Sequence, residues 1–262
     1  MTLSPELWRS LAGVAVLVAV AVTVLSVTGV PHRWGTAAAV ARGTVQLAVL
    51  SVVLTGVITD ALWVGVALTV MFTVAAVTGT VRLGWSPHRL LVVSGAMAAG
   101  VSTVLGVVFL TGAVEFSPRY VLAVGGIVIG GAMSTAALAG LRLAQATQER
   151  WPEIEGWLAL GATPRQATAD IARFAVREAL VPSTDQTKTT GLVTLPGAFV
   201  GAIFGGVSPL DAGRFQVVVL AGIMAAGAVT ASVVAVRLAP SLFRLQTPPP
   251  SPPPAPARHP QG

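Results

Sequence analysis

Cysteine is absent from this 262-residue chain, lysine occurs once, as Lys188, and tyrosine once, as Tyr120. Without cysteine there is no disulfide framework, no thiolate metal centre and no thiol redox chemistry. Charge is scarce as well: 10% of the residues are charged and 54% hydrophobic, with a mean hydropathy of +0.80. That balance lies outside the range of soluble globular domains. A phosphate-binding P-loop needs Gly-Lys-Ser/Thr, so that backbone amides and the lysine together hold the phosphates. Here the lone lysine follows Thr187 in the run DQTKTT, so the chain holds no P-loop and is not itself an ATPase. His-Glu-x-x-His, nucleophile-elbow and clustered His/Asp patterns are also missing, which removes the usual chemistry of a membrane-embedded hydrolase.

Long apolar runs fill most of the chain instead. A bilayer core takes about 20 apolar residues per helix, and hydropathy divides the sequence into roughly seven spans. Their limits are 7–28, 36–58, 61–79, 90–112, 119–141, 190–206 and 214–236. The fold class expected is therefore all-α and polytopic. With the amino terminus outside, the inner face receives Arg33, Arg82, Arg89, the cluster from Arg142 to Lys188, and Arg237, Arg244 and Arg258, while the outer face keeps Arg9, Arg119 and Arg214. This asymmetry predicts an N-out, C-in topology. It also accounts for the formal charge of +6 by a cytoplasmic membrane face, without nucleic acid. The first run is too long for a signal-peptide core and lacks a basic start, so it is kept as a span. The excess of arginine over lysine suggests a GC-rich bacterial source, hence a bacterial cell membrane. Residues 1–246 form the expected transmembrane domain, with a cytoplasmic loop at 142–189. The tail 247–262, TPPPSPPPAPARHPQG, is expected to be disordered or polyproline II.

The long polar stretch Trp151 to Gly197 holds Glu153, Glu155, Asp170, Glu178 and Asp185. Thr163 is placed as a helix N-cap, Pro164 at the first helical position, and Gln166 where it returns a hydrogen bond to the cap. The helix that follows sets Ala167, Ile171, Phe174 and Val181 near one face and Arg165, Arg173 and Arg177 on another, a pattern suited to a membrane surface. Upstream, Glu155 to Leu160 reads as a short helix ending at Gly161. Together they predict a cytoplasmic helical elbow.

Within the spans, Arg42 and Gln46 share a helix face. A charge there either snorkels to the headgroups or faces a protein interior, where Glu178 or Asp185 would be its partner at the inner mouth of a pathway. Gly126 and Gly130 carry the four-residue spacing of close helix packing. Pro196, Gly197, Gly201 and Gly205 make the sixth span short and interrupted, either a helix contact through its glycines or a broken helix lining a path. Just before it, Asp185, Thr187, Lys188, Thr189 and Thr190 concentrate polar groups. His88, beside arginine in the loop RLGWSPHR, reads as a headgroup contact rather than a metal ligand.

A short helix followed by a Gly-Ala-x-Pro turn in the largest polar loop resembles the loop by which ABC transporter permeases dock their ATPase. Importer permeases carry Glu-Ala-Ala, three residues, then Gly there; Glu155 and Gly161 keep the spacing, with Gly156 and Trp157 in place of the alanines. The segments VARGTVQLAVL (40–50), GGAM (130–133), LGATPRQA (160–167), ALVPSTDQTKTTGLVTLPG (179–197) and FQVVV (215–219) resemble the FetB-type permease family of bacterial iron-export and plant aluminium-tolerance permeases. That resemblance implies a homodimeric permease subunit exporting a metal ion such as iron. It implies no cofactor in this chain itself, and ATP-Mg in a separate cytoplasmic P-loop ATPase. The ATPase would couple through Glu155, Trp157, Leu160, Gly161, Ala162, Thr163 and Pro164. The pathway would use Arg42, Gln46, Met133, Asp185, Thr187, Lys188, Pro196 and Gly197. The chain departs from the family where Gly131 replaces an asparagine and where Ala198 and Phe199 replace a methionine pair, so its metal ligands are left unassigned. Two other readings stay open: a self-contained secondary transporter or channel using Arg42 with Asp185 or Glu178, and a structural membrane subunit.

Overall fold

In the computed structural model, which describes residues 5–31, 33–57 and 60–246, every extended element is a helix, with one isolated bridge between Thr190 and Thr194. The chain divides into two compact units, Met1–Asp60 and Ala61–Gly262. The proline-rich tail 247–262 lies outside the described residues.

The first unit is a helical hairpin. Its helices are α1, Pro5–Val27, and α2, Trp34–Val57. The amide of Val30 donates to Leu25 O at 3.0 Å and that of Gly29 to Ser26 O at 3.2 Å, closing the end of α1 with the paired bonds of a left-handed glycine stop. Arg42 and Gln46 lie one turn apart on α2.

The second unit comprises α3 (Ala61–Arg82), α4 (Pro87–Leu110), α5 (Pro118–Glu149), α6 (Trp151–Ala159), α7 (Pro164–Ala167), α8 (Ala169–Thr189), α9 (Gly197–Phe204) and α10 (Pro209–Gln246). Both α4 and α5 start with a serine in extended backbone and a proline in the first turn, where the missing N–H costs no hydrogen bond. Fully buried Val93, Ala96, Met97, Val128, Ala132, Ala136 and Leu143 make the seam between α3, α4, α5 and α10. Small residues let backbones meet there: a Cβ added at Gly100 of α4 would come within 2.7 Å of Ala226 O on α10. Across the same contact Thr230 donates to Ala96 O at 3.3 Å.

Among the described residues, five helical stretches are long and apolar enough to cross a bilayer: Trp8–Val27, α3, α4, α5 and Pro209–Pro240 of α10. The sixth expected span is short and interrupted, as its proline and glycines imply, but its bounds are corrected. Between 190 and 206 the described helix is only Gly197–Phe204, eight residues, about 12 Å long at 1.5 Å per residue. Pro196 removes a donor at its start and Gly205 closes it, so the apolar run cannot continue as one helix.

The placement of α8 is corrected too. The sequence suggests a helix lying on a membrane surface, yet α8 runs antiparallel to α10 and packs between it and α5. Its N-terminal Ala169 and Ala172 share a groove with Ala235 and Ala239. Further along, Leu180 lies within 3.2 Å of a Cβ position at Gly227, and Thr184 Oγ1 lies 3.9 Å from Met224 Sδ. The seam is Ile171, Ala172, Ala175 and Ala179, all buried. Phe174 and Val181, expected on the apolar face, are exposed, because the alanine side permits the closer approach.

Two substitutions test the packing. Gly100→Val should lower the thermal midpoint of the solubilised protein by the equivalent of about 1–3 kcal/mol, the usual cost of overpacking. Gly130→Ala, with nothing within 4 Å of the added carbon, should leave it unchanged or slightly higher. The measurement is fluorescence-detected thermal unfolding of both variants, and equal midpoints would contradict the α4–α10 contact.

Candidate functional site

Met224 stands midway along the apolar stretch Pro209–Pro240, so its neighbour Thr184 places the polar half of α8 beside the middle of a crossing helix. From Pro182 onward α8 reads PSTDQTKT. Three hydroxyls here donate to the helix's own backbone, Thr187 Oγ1 to Ser183 O at 2.8 Å, Thr189 Oγ1 to Asp185 O at 2.9 Å and, from the C-cap, Thr190 Oγ1 to Gln186 O at 2.7 Å. A hydroxyl engaged in that way keeps its lone pairs for an acceptor role. Pro182 lies inside the helix and withholds the N–H that would bond to the carbonyl of Glu178. This part of α8 therefore presents oxygen acceptors.

Asp185 and Lys188 face each other at 3.6 Å, with 63% and 70% of their side chains exposed. Glu178 lies 3.8 Å from Arg177. Both carboxylates proposed for Arg42 thus have a cation on their own helix. Thr190 caps α8 in extended backbone, Gly191 N donates to Thr194 O at 2.8 Å, and α9 starts after Pro196. Phe199 of α9 lies 4.0 Å from a Cβ position at Gly213, in the first turns of α10. Taken along α10, the α8–α9 pair is one discontinuous element: α8 reaches past mid-length, the backbone opens, and α9 continues beside the N-terminal turns.

The pathway residues drawn from the sequence are thus only partly gathered. Asp185, Thr187 and Lys188 share the end of α8, and Pro196 with Gly197 begins α9. Met133 sits elsewhere, its Cγ 3.6 Å from a Cβ position at Gly79 on α3, whereas Gly131 and Thr135 face α10. Arg42 and Gln46 belong to the first unit. Among the packing glycines, Gly126 meets Met71 Cε at 3.0 Å; Gly130 and Gly201 have no neighbour within 4 Å, and Gly205 meets only carbonyls of its own turn. Residues the sequence left unmarked also contribute. Thr184, Met224 and Thr135 line the α5–α8–α10 contact, and Gln216, 6% exposed, has no hydrogen-bond partner for Oε1 among the described residues. Gln216 shares a face of α10 with Ile223 and Gly227, seven and eleven residues on, which meet α5 and α8. A hydroxyl run next to an alanine stripe was the available signal for Thr184.

At the other end of α8 lies the elbow. Arg150 forms a bidentate pair with Glu153, and Trp151 Nε1 donates to Glu155 at 2.7 Å, fixing the first turn of α6. Ile154 is fully buried and anchors α6 to the bundle. Gly161 ends it at φ +88°, with Ala162 N donating to Trp157 O and Gly161 N to Leu158 O. A side chain at that φ is strained, so glycine belongs there. The capping box is present: Thr163 N donates to Gln166 Oε1 at 2.8 Å, and Gln166 N to Thr163 Oγ1 at 3.4 Å. Pro164 opens α7, which meets α8 at Thr168 with no loop. Trp157, Leu160, Gly161 and Ala162 line an open groove of ≈ 540 Å³. Leu160 is 82% exposed and Trp157 48%, an apolar patch of the kind that partners cover.

No solved structure matches this chain. It is 37% identical to UPF0014 membrane protein STAR2 of Oryza sativa subsp. japonica over 194 residues, covering 73% of this chain and 68% of the relative. It is 34% identical to Protein ALUMINUM SENSITIVE 3 of Arabidopsis thaliana over 207 residues, covering 78% and 76%. It is also 40% identical over 124 residues to "Probable iron export permease protein FetB" of Escherichia coli (strain K12), covering 47% and 48%. With apolar crossing helices and a family model matched over residues 8–243, the chain is a multi-pass membrane protein and belongs to the uncharacterised protein family UPF0014.

Proposed function

We propose that this chain is the permease subunit of an ABC transporter that exports a metal ion such as iron, driven by a separate cytoplasmic ATPase that hydrolyses ATP-Mg. The observation that carries the reading is the discontinuous polar element α8–α9, seated beside the mid-length of α10 and joined without a loop to an exposed elbow. In a bilayer, non-helical backbone and unpaired polar groups are tolerated where they are buried in protein or line water. With α8 and α9 together taken as the sixth crossing, the elbow and the carboxyl terminus fall on the inner face and the amino terminus outside, as the arginine distribution requires. Two copies would bring the exposed faces of their α8 helices to a shared path, lined by Asp185, Thr187 and Lys188. The oxygen acceptors of α8 suit a cation. The printed name of the bacterial relative, an iron export permease, supplies the choice of iron.

In this mechanism the ATPase seats on Trp157, Leu160 and the Gly161–Pro164 turn. Because α7 runs into α8, a rotation of the elbow tilts α8 and moves its polar end against α5 and α10. That is rigid-body switching between inward and outward access.

Two measurements test this. Affinity purification of the full chain from its native membrane should bring down a P-loop ATPase, and Leu160→Arg, at an 82% exposed position of the elbow patch, should release it while the thermal midpoint holds. Retention of the ATPase by the variant, or its absence from the wild type, rejects the docking elbow. Because the chain has no cysteine, single cysteines report water access directly. Thr187→Cys should react with a membrane-impermeant thiol reagent at least about tenfold faster than Val70→Cys on the exposed side of α3, since only a wetted thiol ionises. Equal rates would remove the aqueous path; a wetted Thr187 position with no ATPase bound would make ion-gradient transport by the liposome-reconstituted chain the reading to test.

A further inference from the structure

A second groove adjoins the elbow, between the N-terminal half of α8 and the C-terminal part of α10. It has a volume of ≈ 430 Å³ and is walled by α8 on one side and the last turns of the apolar stretch of α10 on the other. Its floor is Ala172, Val176, Ala235, Val236 and Ala239, and Arg165 and Arg173 stand at its rim. The floor is apolar, the rim is basic, and the α10 wall ends at Pro240, where the membrane-crossing stretch itself ends. We infer that this groove binds an anionic phospholipid of the surrounding bilayer, with its phosphodiester on Arg165 and Arg173 and the start of an acyl chain along Val176 and Val236.

Charge argues for the occupant. Arg165 forms no ion pair among the described residues. Arg173 is held at 2.6 Å by Asp170, but their side chains are 78% and 64% exposed, and an exposed pair of this kind contributes little. A phosphodiester carries the same single charge as a carboxylate on two non-bridging oxygens, so at a rim that holds two arginines it can exchange for that exposed carboxylate and accept from both guanidinium groups. Depth argues for a lipid over a soluble phosphate. The apolar floor runs toward the span rather than the water, and a soluble ion would leave it uncovered. Basic pockets between helices at a cytoplasmic membrane face attract anionic headgroups in this way. Arg173 also lines the elbow groove, so a headgroup at this site would touch the same side chain as a partner seated on the elbow. The inference rests on the chain being a membrane protein and on the inner-face placement of this end of α10 proposed above, and is independent of what is transported.

The test is native mass spectrometry and thermal unfolding of the full chain in detergent, titrated with phosphatidylglycerol, phosphatidylcholine or inorganic phosphate. Phosphatidylglycerol should bind and raise the midpoint, and neither of the other two should match it. Arg165→Gln with Arg173→Gln should weaken phosphatidylglycerol binding by about tenfold or more. Val236→Trp, at an exposed position on the groove wall, should weaken it with every charge retained. Arg119→Gln with Arg214→Gln, which removes two arginines from the opposite ends of α5 and α10, should change it less than twofold. Equal binding of the two lipids, a full effect from inorganic phosphate, or equal losses from the two arginine pairs would overturn the inference. So would loss of a co-purified protein partner, rather than of lipid, as the sole effect of changing Arg165 and Arg173.

Discussion

The close approach of α8 to α5 and α10 is the contact on which the rest depends. It joins a helix rich in charged and hydroxyl side chains to two long apolar helices, which hydrophobic matching alone would not do. Side-chain size permits it. Ala172, Ala175 and Ala179 on α8 and Gly227 on α10 bring the backbones together, as small residues do between membrane helices. Thr135 and Leu180 fill the space at Gly227. With its apolar quota met by alanine methyls, α8 is free to carry hydroxyls, an amide and charges on its other sides. The break at 190–196 follows, because α9 packs on α10 in its own right, and the segment between them need not stay helical.

The elbow acquires its meaning from the same contact. α6 is anchored through Ile154, turned by Gly161 and recapped by Thr163, so its orientation is set by covalent geometry and hydrogen bonds rather than by a loose loop. From Thr168 the chain enters α8, 21 residues long, about 30 Å at 1.5 Å per residue. In the proposed mechanism a displacement at the elbow would be delivered about 30 Å away at the polar end. A flexible linker between the two would lose it, and there is none.

Much of this could be read from residues in order. Thr163, Pro164 and Gln166 announced their cap, Gly161 its stop, and the apolar runs gave α1, α2, α3 and α4 within a few residues, whereas α5 and α10 continue eight and ten residues past the runs 119–141 and 214–236. What escaped was the environment of α8. Hydropathy averages over a window, and Arg173, Arg177, Asp185 and Lys188 outweigh a seam made of alanine, which contributes little to any scale. The same averaging favoured 190–206, where Leu192, Val193 and Leu195 look like a span although Pro196 and the glycines around it forbid a continuous helix. Met133 was ambiguous for another reason. It lies two residues from both Gly131 and Thr135, and at 100° per residue that places it across α5 from the side that meets α10.

Asp185 and Lys188 settle what kind of surface the exposed side of α8 must meet when α10 crosses a bilayer. A charged residue at the centre of a crossing helix costs about 2.5–3.5 kcal/mol on insertion scales. An exposed ion pair returns about 0–1 kcal/mol. Pairing at 3.6 Å therefore leaves most of the cost of two charges standing if acyl chains surround them. Water or a second protein surface removes that cost outright, since either supplies the hydrogen bonds that hydrocarbon lacks. In the proposed permease the exposed charges would set the packing rule: the alanine side of α8 is committed to α5 and α10, and its charged side would be turned away from lipid.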